Sequence, residues 1–183
     1  MTTATFRDPL LASLAPRLAA IEPRTRAVVL GLDSARLGMR PPGGGWSVAE
    51  VFEHLVRGNQ AYLPSMEKVL AEARRRGARR TYRQSLVGGL LLRAIAEDNR
   101  ARLPTTSKMT PVAVREGVVE AFLGTLARTA DLAREADGAD LGVRMWSPIA
   151  PVPINLGDAF AIIVTHAERH LGQAERTRRA IGA

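Results

Sequence analysis

Hydrophobic residues recur every three or four positions along most of this chain, and no stretch alternates in the manner of a β-strand. In the first amphipathic region, about residues 9–37, Pro16 and Pro23 interrupt the pattern. A proline removes a backbone hydrogen bond and clashes with the preceding turn, so neither fits undisturbed inside one straight helix. The sequence therefore predicts a short N-terminal helix and a main helix that begins near Pro23, because proline suits a first helical turn.

A second amphipathic segment follows the break formed by the prolines and glycines of 41–45. Ser47 and Glu50 have the spacing of a capping box, which predicts a helix that begins at Val48. Alternating steps of four and three residues, typical of a helical-bundle seam, define its inward stripe. That stripe consists of Val48, Phe52, Leu55, Asn59, Tyr62, Met66 and Val69.

The remaining elements are predicted in the same way. A short helix or turn is expected within 84–100, and a loop through Pro104 follows it. Thr110-Pro111 has the composition of an N-cap and first helical position, so a third long helix is expected from there to Gly138. A proline-rich connection, 140–155, leads to a last helix that ends near Ile181.

We therefore predict an all-α, four-helix bundle in up-down-up-down order, with a small additional helix between helices 2 and 3. A chain of 183 residues is long enough for one substantial core, so residues 1–183 are expected to form a single domain.

Composition narrows the classes of function. The chain contains no cysteine, which excludes disulfides, thiolate metal ligands and a cysteine nucleophile. The N-terminus lacks the basic-then-apolar pattern of a signal peptide, and no apolar run approaches the roughly 20 residues that a membrane span needs. A cytoplasmic protein without a membrane partner is therefore expected.

The net charge of +8 comes mainly from arginine, which is clustered in 74–83 and 176–179. Such clusters are compatible with phosphate binding, but also with a solvated loop and with cations at a helix C-terminus. Aromatic residues make up only 4% and do not interleave with the arginines, so no base-stacking surface is evident. Nucleic acid is therefore not expected as the partner.

The three histidines are the strongest chemical signal. His166 and His170 are four residues apart, so they share one face of the last helix. His170 falls near the centre of the apolar stripe, and His166 lies roughly 40° to one side. His54 lies at the margin of the second helix's stripe, beside the small residue Gly58. A single inward histidine is usually a core residue bonded to a carbonyl or carboxylate, whereas the spaced pair matches a metal-chelating pitch. Both interpretations remain open from spacing alone.

Two motifs resemble the DinB-like superfamily, which includes YfiT-type metal-dependent hydrolases. The first is Trp46-Ser47-Val48-Ala49-Glu50-Val51-Phe52-Glu53-His54-Leu55, and the second is His166-Ala167-Glu168-Arg169-His170-Leu171-Gly172-Gln173. The resemblance covers nearly the full length, and Pro104 also fits it. The connection before the last helix departs from the pattern, because Trp146-Ser147-Pro148 stands where members often carry His-Pro followed by glycine.

The resemblance implies one divalent metal ion, zinc or nickel, bound by His54, His166 and His170. It also implies a homodimer and either of two reactions on a small molecule: hydrolysis, or transfer with a low-molecular-weight thiol as cosubstrate. Candidate pocket or supporting residues are Glu50, Asn59, Tyr62, Trp146 and Asp158. Glu50 and Asp158 also suit helix N-termini, where acids complement the dipole. The alternative is a binding module for a small molecule or nucleic acid, without catalysis.

Overall fold

The computed structural model describes residues 6–77, 82–96, 109–149 and 152–183. The described chain is mostly helical, with one two-stranded antiparallel sheet. Its elements are α1 (Pro9–Val29), α2 (Ser34–Leu37), α3 (Val48–Arg76), α4 (Leu86–Ile95), α5 (Val118–Ala136), β1 (Arg144–Trp146), β2 (Pro153–Asn155) and α6 (Leu156–Ala180). The all-α prediction is confirmed at this level, and the small additional helix is α4.

The four long helices surround one hydrophobic core: α3 packs against α5 and α6, and α1 packs against the same two helices. Side-chain pairs fix the direction of α1 relative to α6. The Arg17 guanidinium bonds the Glu168 carboxylate at 2.5 Å, and Arg24 bonds Glu175 at 3.1 Å. Both numbers increase together, so α1 and α6 run parallel.

The same reasoning shows that α3 and α5 are parallel. Asn59 donates to the Thr125 hydroxyl at 2.8 Å, and Arg128 pairs with Glu67 at 2.9 Å. In contrast, α3 and α6 are antiparallel, since residue 54 lies beside residue 166 and residue 46 beside residue 177. The order is therefore up-down-down-up, and the predicted up-down-up-down order is wrong. The long connection between α3 and α5 allows the chain to return along α3 before α5 begins, as crossover connections do in other bundles.

Helix α1 is continuous through both prolines, so the predicted division near Pro23 is also wrong. Each internal proline costs about 3 kcal/mol or more in isolation. The helix nevertheless buries one face on both sides of the prolines, and that packing outweighs the local preference. The buried positions are Leu11, Leu14, Ile21, Thr25 and Val28.

The third long helix begins at Val118, eight residues after the predicted cap at Thr110. Arg115 bonds Glu53 of α3 through its backbone N–H and its guanidinium, which holds the preceding segment in a non-helical path. Gly117 then caps α5 with a positive φ of 61°, a conformation that favours glycine.

The helix starts at Val48 and near Asn155 were predicted correctly. Ser47 and Glu50 form the expected capping box, and Asn155 forms a second one with Asp158. The strands β1 and β2 and the single-turn α2 were not predicted, because elements of three or four residues leave no periodic pattern. Within the described residues, none of the helices combines the length and apolar character needed to cross a membrane. The predicted loop at Pro104 and the arginines Arg79 and Arg80 lie outside the described residues.

Thr25 supplies a test of core packing. Its hydroxyl is fully buried and has no hydrogen-bond partner among the described residues. A buried unpaired hydroxyl costs about 1–3 kcal/mol. We therefore expect Thr25→Val, which keeps the branched shape, to raise the free energy of unfolding by roughly 1 kcal/mol in urea denaturation. A loss of stability would show that this hydroxyl is hydrogen-bonded.

Candidate metal centre

The three histidines meet at the contact between α3 and α6. His54 comes from α3, whereas His166 and His170 lie on consecutive turns of α6. One nitrogen from each ring lies within 4.8 Å of the others. His54 is buried, and the other two are half-buried residues whose ring nitrogens are shielded from solvent.

The three rings face one another at short distances. Nε2 of His54 lies 3.0 Å from Nε2 of His166. The ring centroid of His170 lies 4.5 Å from those of both other histidines, at edge-to-face angles. Residues 166 and 170 are one helical turn apart, so the helix itself places their rings side by side. The third ring comes from α3.

Hydrogen bonds orient two of the rings. The His54 Nδ1–H donates to the Met109 carbonyl at 2.8 Å, and the His170 Nδ1–H donates to the Gln173 side-chain oxygen at 2.9 Å. Since both acceptors are oxygens, the proton of each neutral imidazole lies on Nδ1 and the lone pair on Nε2. His166 Nε2–H then donates to His54 Nε2. A metal ion would take the place of that proton, which can move to Nδ1 of the same ring.

Close packing brings the two helices together at the cluster. Gly58 faces the His166 ring, and a Cβ atom there would lie 3.4 Å from His166 Cε1. The Trp46 ring forms a wall beside the cluster, with its centroid 4.8 Å from that of His54 and 6.2 Å from that of His170. Small and flat groups therefore border the histidines.

The environment keeps the imidazoles neutral. Loss of water around the ring lowers the pKa of His54, although its bond to Met109 opposes this. Burial of the ring nitrogens also lowers the pKa of His166 well below its usual value, with smaller contributions from the charges of His170 and His54. The pKa of His170 falls to about 3 for the same principal reason. Neutral imidazole is the form that binds metals.

Two other predicted site residues, Asn59 and Tyr62, are buried along α3. Asn59 donates to Thr125, which joins α3 to α5. The Tyr62 hydroxyl lies 3.1 Å from that of Ser147, and burial raises the pKa of Tyr62 to about 12. Their hydrogen bonds are therefore directed to α5 and to the residue after β1, rather than to a histidine.

The two acidic candidates have capping roles. Glu50 accepts from the Ser47 N–H and pairs with Arg40. Asp158 is fully buried and accepts from Tyr82, Ser85 and the Asn155 N–H. Trp146 lies on β1 with 67% of its surface exposed. Among the described residues, none of these three forms a hydrogen bond, ion pair or ring contact with the histidines.

Sequence reasoning did not assign three contributors to the cluster. A backbone carbonyl, here that of Met109, has no sequence signal. Gln173 is three residues after His170 and therefore on the same helix face, so its spacing could have identified it. Trp46 directly precedes the capping residue Ser47, a position from which a side chain can pack back on the helix, and it contacts His54 of α3.

Several arginines of the two clusters have partners within the fold. Arg76 pairs with Glu72 and Asp140, and Arg74 lies 3.9 Å from Glu135. Arg178 donates to the backbone carbonyls at the end of α1. These arginines therefore contribute to contacts within the fold.

The fold and site define a class: an α-helical protein in which two helices bring together three neutral imidazoles compatible with a divalent metal ion. The chain belongs to the DinB superfamily, whose family profile matches residues 17–174 and includes all three histidines. No curated protein and no solved structure matches the chain significantly.

Proposed function

We propose that His54, His166 and His170 bind one divalent metal ion, zinc or nickel, and that the protein is a metal-dependent enzyme acting on a small molecule. One observation carries this proposal: three neutral imidazoles converge within 4.8 Å, with two of them oriented by outer hydrogen bonds. Such outer partners are typical of metal-ligating histidines. A purely structural interpretation would have to account for three adjacent imidazoles at one contact between helices.

The donor set fits a site that leaves one coordination position free. A metal ion held by three neutral ligands can lower the pKa of bound water or keep a bound thiol deprotonated. His166 and His170 are only half-buried, so the ligand in this proposal would approach from their side of the cluster. Trp46 provides an aromatic wall against which an apolar part of that ligand can pack.

Thiol-dependent transfer is the reaction that these surroundings favour. The carboxylates flanking the cluster in sequence are engaged elsewhere: Glu53 pairs with Arg115, and Glu168 with Arg17. In the described part of the chain, both carboxylates next to the histidines in sequence are therefore held in ion pairs, and neither is free to act as a base. A metal-held thiolate needs no such base, because coordination removes its proton. Hydrolysis is the second candidate, since a metal ion in this site would also lower the pKa of a bound water.

Dependence on a thiol tests the reaction class. With zinc or nickel and a chromogenic aryl halide, we expect the electrophile to disappear only when a low-molecular-weight thiol such as N-acetylcysteine is added. The His166→Ala/His170→Ala variant should give the rate of the uncatalysed reaction. Equal enzymatic rates with and without thiol would eliminate transfer, and equal rates for the variant and wild type would leave a binding module as the alternative.

We also propose the larger organisation that this function requires. The four long helices form one bundle in up-down-down-up order and make the chain a single domain, which the shared core supports. The homodimer implied by the resemblance is proposed as well, and its test is the molar mass by light scattering. Cooperative unfolding in one transition would support the single domain.

A further inference from the structure

A buried carboxylate lies next to the candidate metal ligand on α3 and takes no direct part in the cluster. The Glu53 side chain is only 2% exposed, which is rare for an acid without partners. It accepts hydrogen bonds from the Arg115 guanidinium at 2.8 and 3.0 Å, from the Arg115 backbone N–H at 3.3 Å, and from Arg57 at 2.9 Å. The carboxylate is thus fully engaged by two cations.

Arg57 and Arg115 differ in what they connect. Arg57 is four residues after Glu53 on the same helix, so this pair is internal to α3. Arg115 belongs to the segment 109–117, which precedes α5 and has no regular secondary structure. Among the described residues, only Arg115 therefore attaches another part of the chain to Glu53.

The same segment carries the hydrogen-bond acceptor of His54. Its first residue, Met109, accepts the His54 Nδ1–H through its backbone carbonyl at 2.8 Å. The segment is thus attached at Met109 and Arg115 to two consecutive α3 residues. Met109 and Pro111 are buried, whereas Val112 is 88% exposed and Val114 is 40% exposed, so burial holds the Met109 end of the segment and the Glu53–Arg115 bonds hold the other end.

We propose that Glu53 and Arg115 are positioning residues of the histidine cluster: their ion pair holds segment 109–117 so that the Met109 carbonyl fixes the ring orientation and tautomer of His54. The pair acts through Met109 and contacts neither a ligand nor the other histidines. Without this attachment the carbonyl can move away, and the His54 proton is no longer confined to Nδ1. The inference concerns the metal-free protein, and it rests on the proposed function only for its effect on metal affinity.

The test compares Arg115→Gln with a matched control, Arg57→Gln. Each variant removes one cation from Glu53, but only Arg115→Gln releases the segment. Nitrogen-15 NMR of the metal-free protein should show His54 in the Nδ1–H tautomer in wild type and Arg57→Gln, and in a tautomer mixture in Arg115→Gln. An unchanged His54 signal in Arg115→Gln, or equal changes in both variants, would overturn the proposal.

Calorimetric titration with Zn²⁺ provides the second measurement. Loss of an outer hydrogen-bonding partner typically weakens metal binding by about 10- to 100-fold, and we expect this for Arg115→Gln. Arg57→Gln should change the Kd by less than about threefold, on the same scale. Removing a nearby positive charge would by itself tighten Zn²⁺ binding. Weaker binding would therefore be due to the lost positioning of His54 and not to the lost charge. Tighter binding in Arg115→Gln would contradict the proposal.

The variants must fold for either result to count. Arg115 is about one-third exposed, and Arg57 remains to pair with Glu53, so Arg115→Gln is expected to fold. The double variant Glu53→Gln/Arg115→Gln also leaves no unpaired buried charge. It should show the same His54 tautomer mixture, whereas Arg115→Lys should recover part of the wild-type signal. If wild type binds no Zn²⁺, the proposed function fails, but the NMR comparison still decides the positioning role.

Discussion

Replacing His166 with alanine is expected to abolish the stabilisation that zinc or nickel gives to the wild-type protein. Nε2 of His166 lies 3.0 Å from Nε2 of His54, and His170 is one helical turn away. The substitution therefore removes the ligand of α6 that lies next to the ligand of α3. At a metal concentration of about 1,000 times Kd, binding to the folded state alone stabilises it by about 4 kcal/mol. For a protein of this size, this corresponds to a rise in Tm of roughly 8–16 °C. The variant should show no rise.

The measurement is thermal unfolding with added metal and with chelator, combined with metal content by mass spectrometry. Tyr62→Phe is the control, because Tyr62 lies two turns from His54 along α3 and its hydroxyl contacts Ser147. That variant should be less stable in both conditions by about 1 kcal/mol but keep the full metal-dependent shift. If His166→Ala and wild type have the same metal content and the same shift, the three histidines do not form the binding site.

The site could be predicted to the extent that it depends on local spacing. Four residues separate His166 and His170, and a helix places such residues together whatever the rest of the chain does. The capping box at Ser47 and Glu50 similarly fixed the start of α3, and hence the phase of His54 on that helix. These signals operate within one helical turn, so a sequence carries them directly.

Long-range contacts determined what could not be predicted. Arg115 bonds Glu53 across 62 positions, and this bond, rather than the local Thr110-Pro111 pattern, accompanies the late start of α5. Tertiary burial likewise keeps α1 continuous through Pro23, against its local propensity. The hydrogen bond from His54 to the Met109 carbonyl is also a long-range contact. Any residue type could have supplied that acceptor, so only the folded path reveals which one does.

The helix order illustrates the same limit. Amphipathic patterns show which faces are buried but not which helices are neighbours, and short connections are the usual reason to expect alternating directions. Here the connection between α3 and α5 is long and contains α4, so it can return the chain along the length of α3. The difference also bears on the ligands: in up-down-up-down order α3 and α6, the second and fourth long helices, would run parallel, whereas here they are antiparallel neighbours.

Acidification should destabilise the metal-free protein well above the pH at which carboxylates titrate. An unfolded histidine has a pKa of about 6.5, whereas the folded-state pKa of His170 is about 3 and that of His166 is well below its usual value. Below pH 6.5 the unfolded chain therefore binds protons that the folded chain excludes. Stability is complete above that pH and is lost as the pH falls towards the folded-state values. Between pH 7 and 5 His170 contributes a loss of about 2 kcal/mol, and His166 contributes a further loss of the same sign.

Urea unfolding in the presence of chelator at pH 7, 6 and 5 measures this loss, and His170→Gln should reduce it by about 2 kcal/mol. The acids near the site do not interfere in this range. Burial alone would raise the pKa of Glu53, but its bonds from Arg115 and Arg57 lower it, and the bond from Arg40 lowers the pKa of Glu50. Both groups therefore titrate below pH 5. A free energy of unfolding that stays constant from pH 7 to 5 would mean that the folded cluster accepts protons as readily as the unfolded chain. The same imidazoles would then not be held as neutral ligands ready for a metal ion.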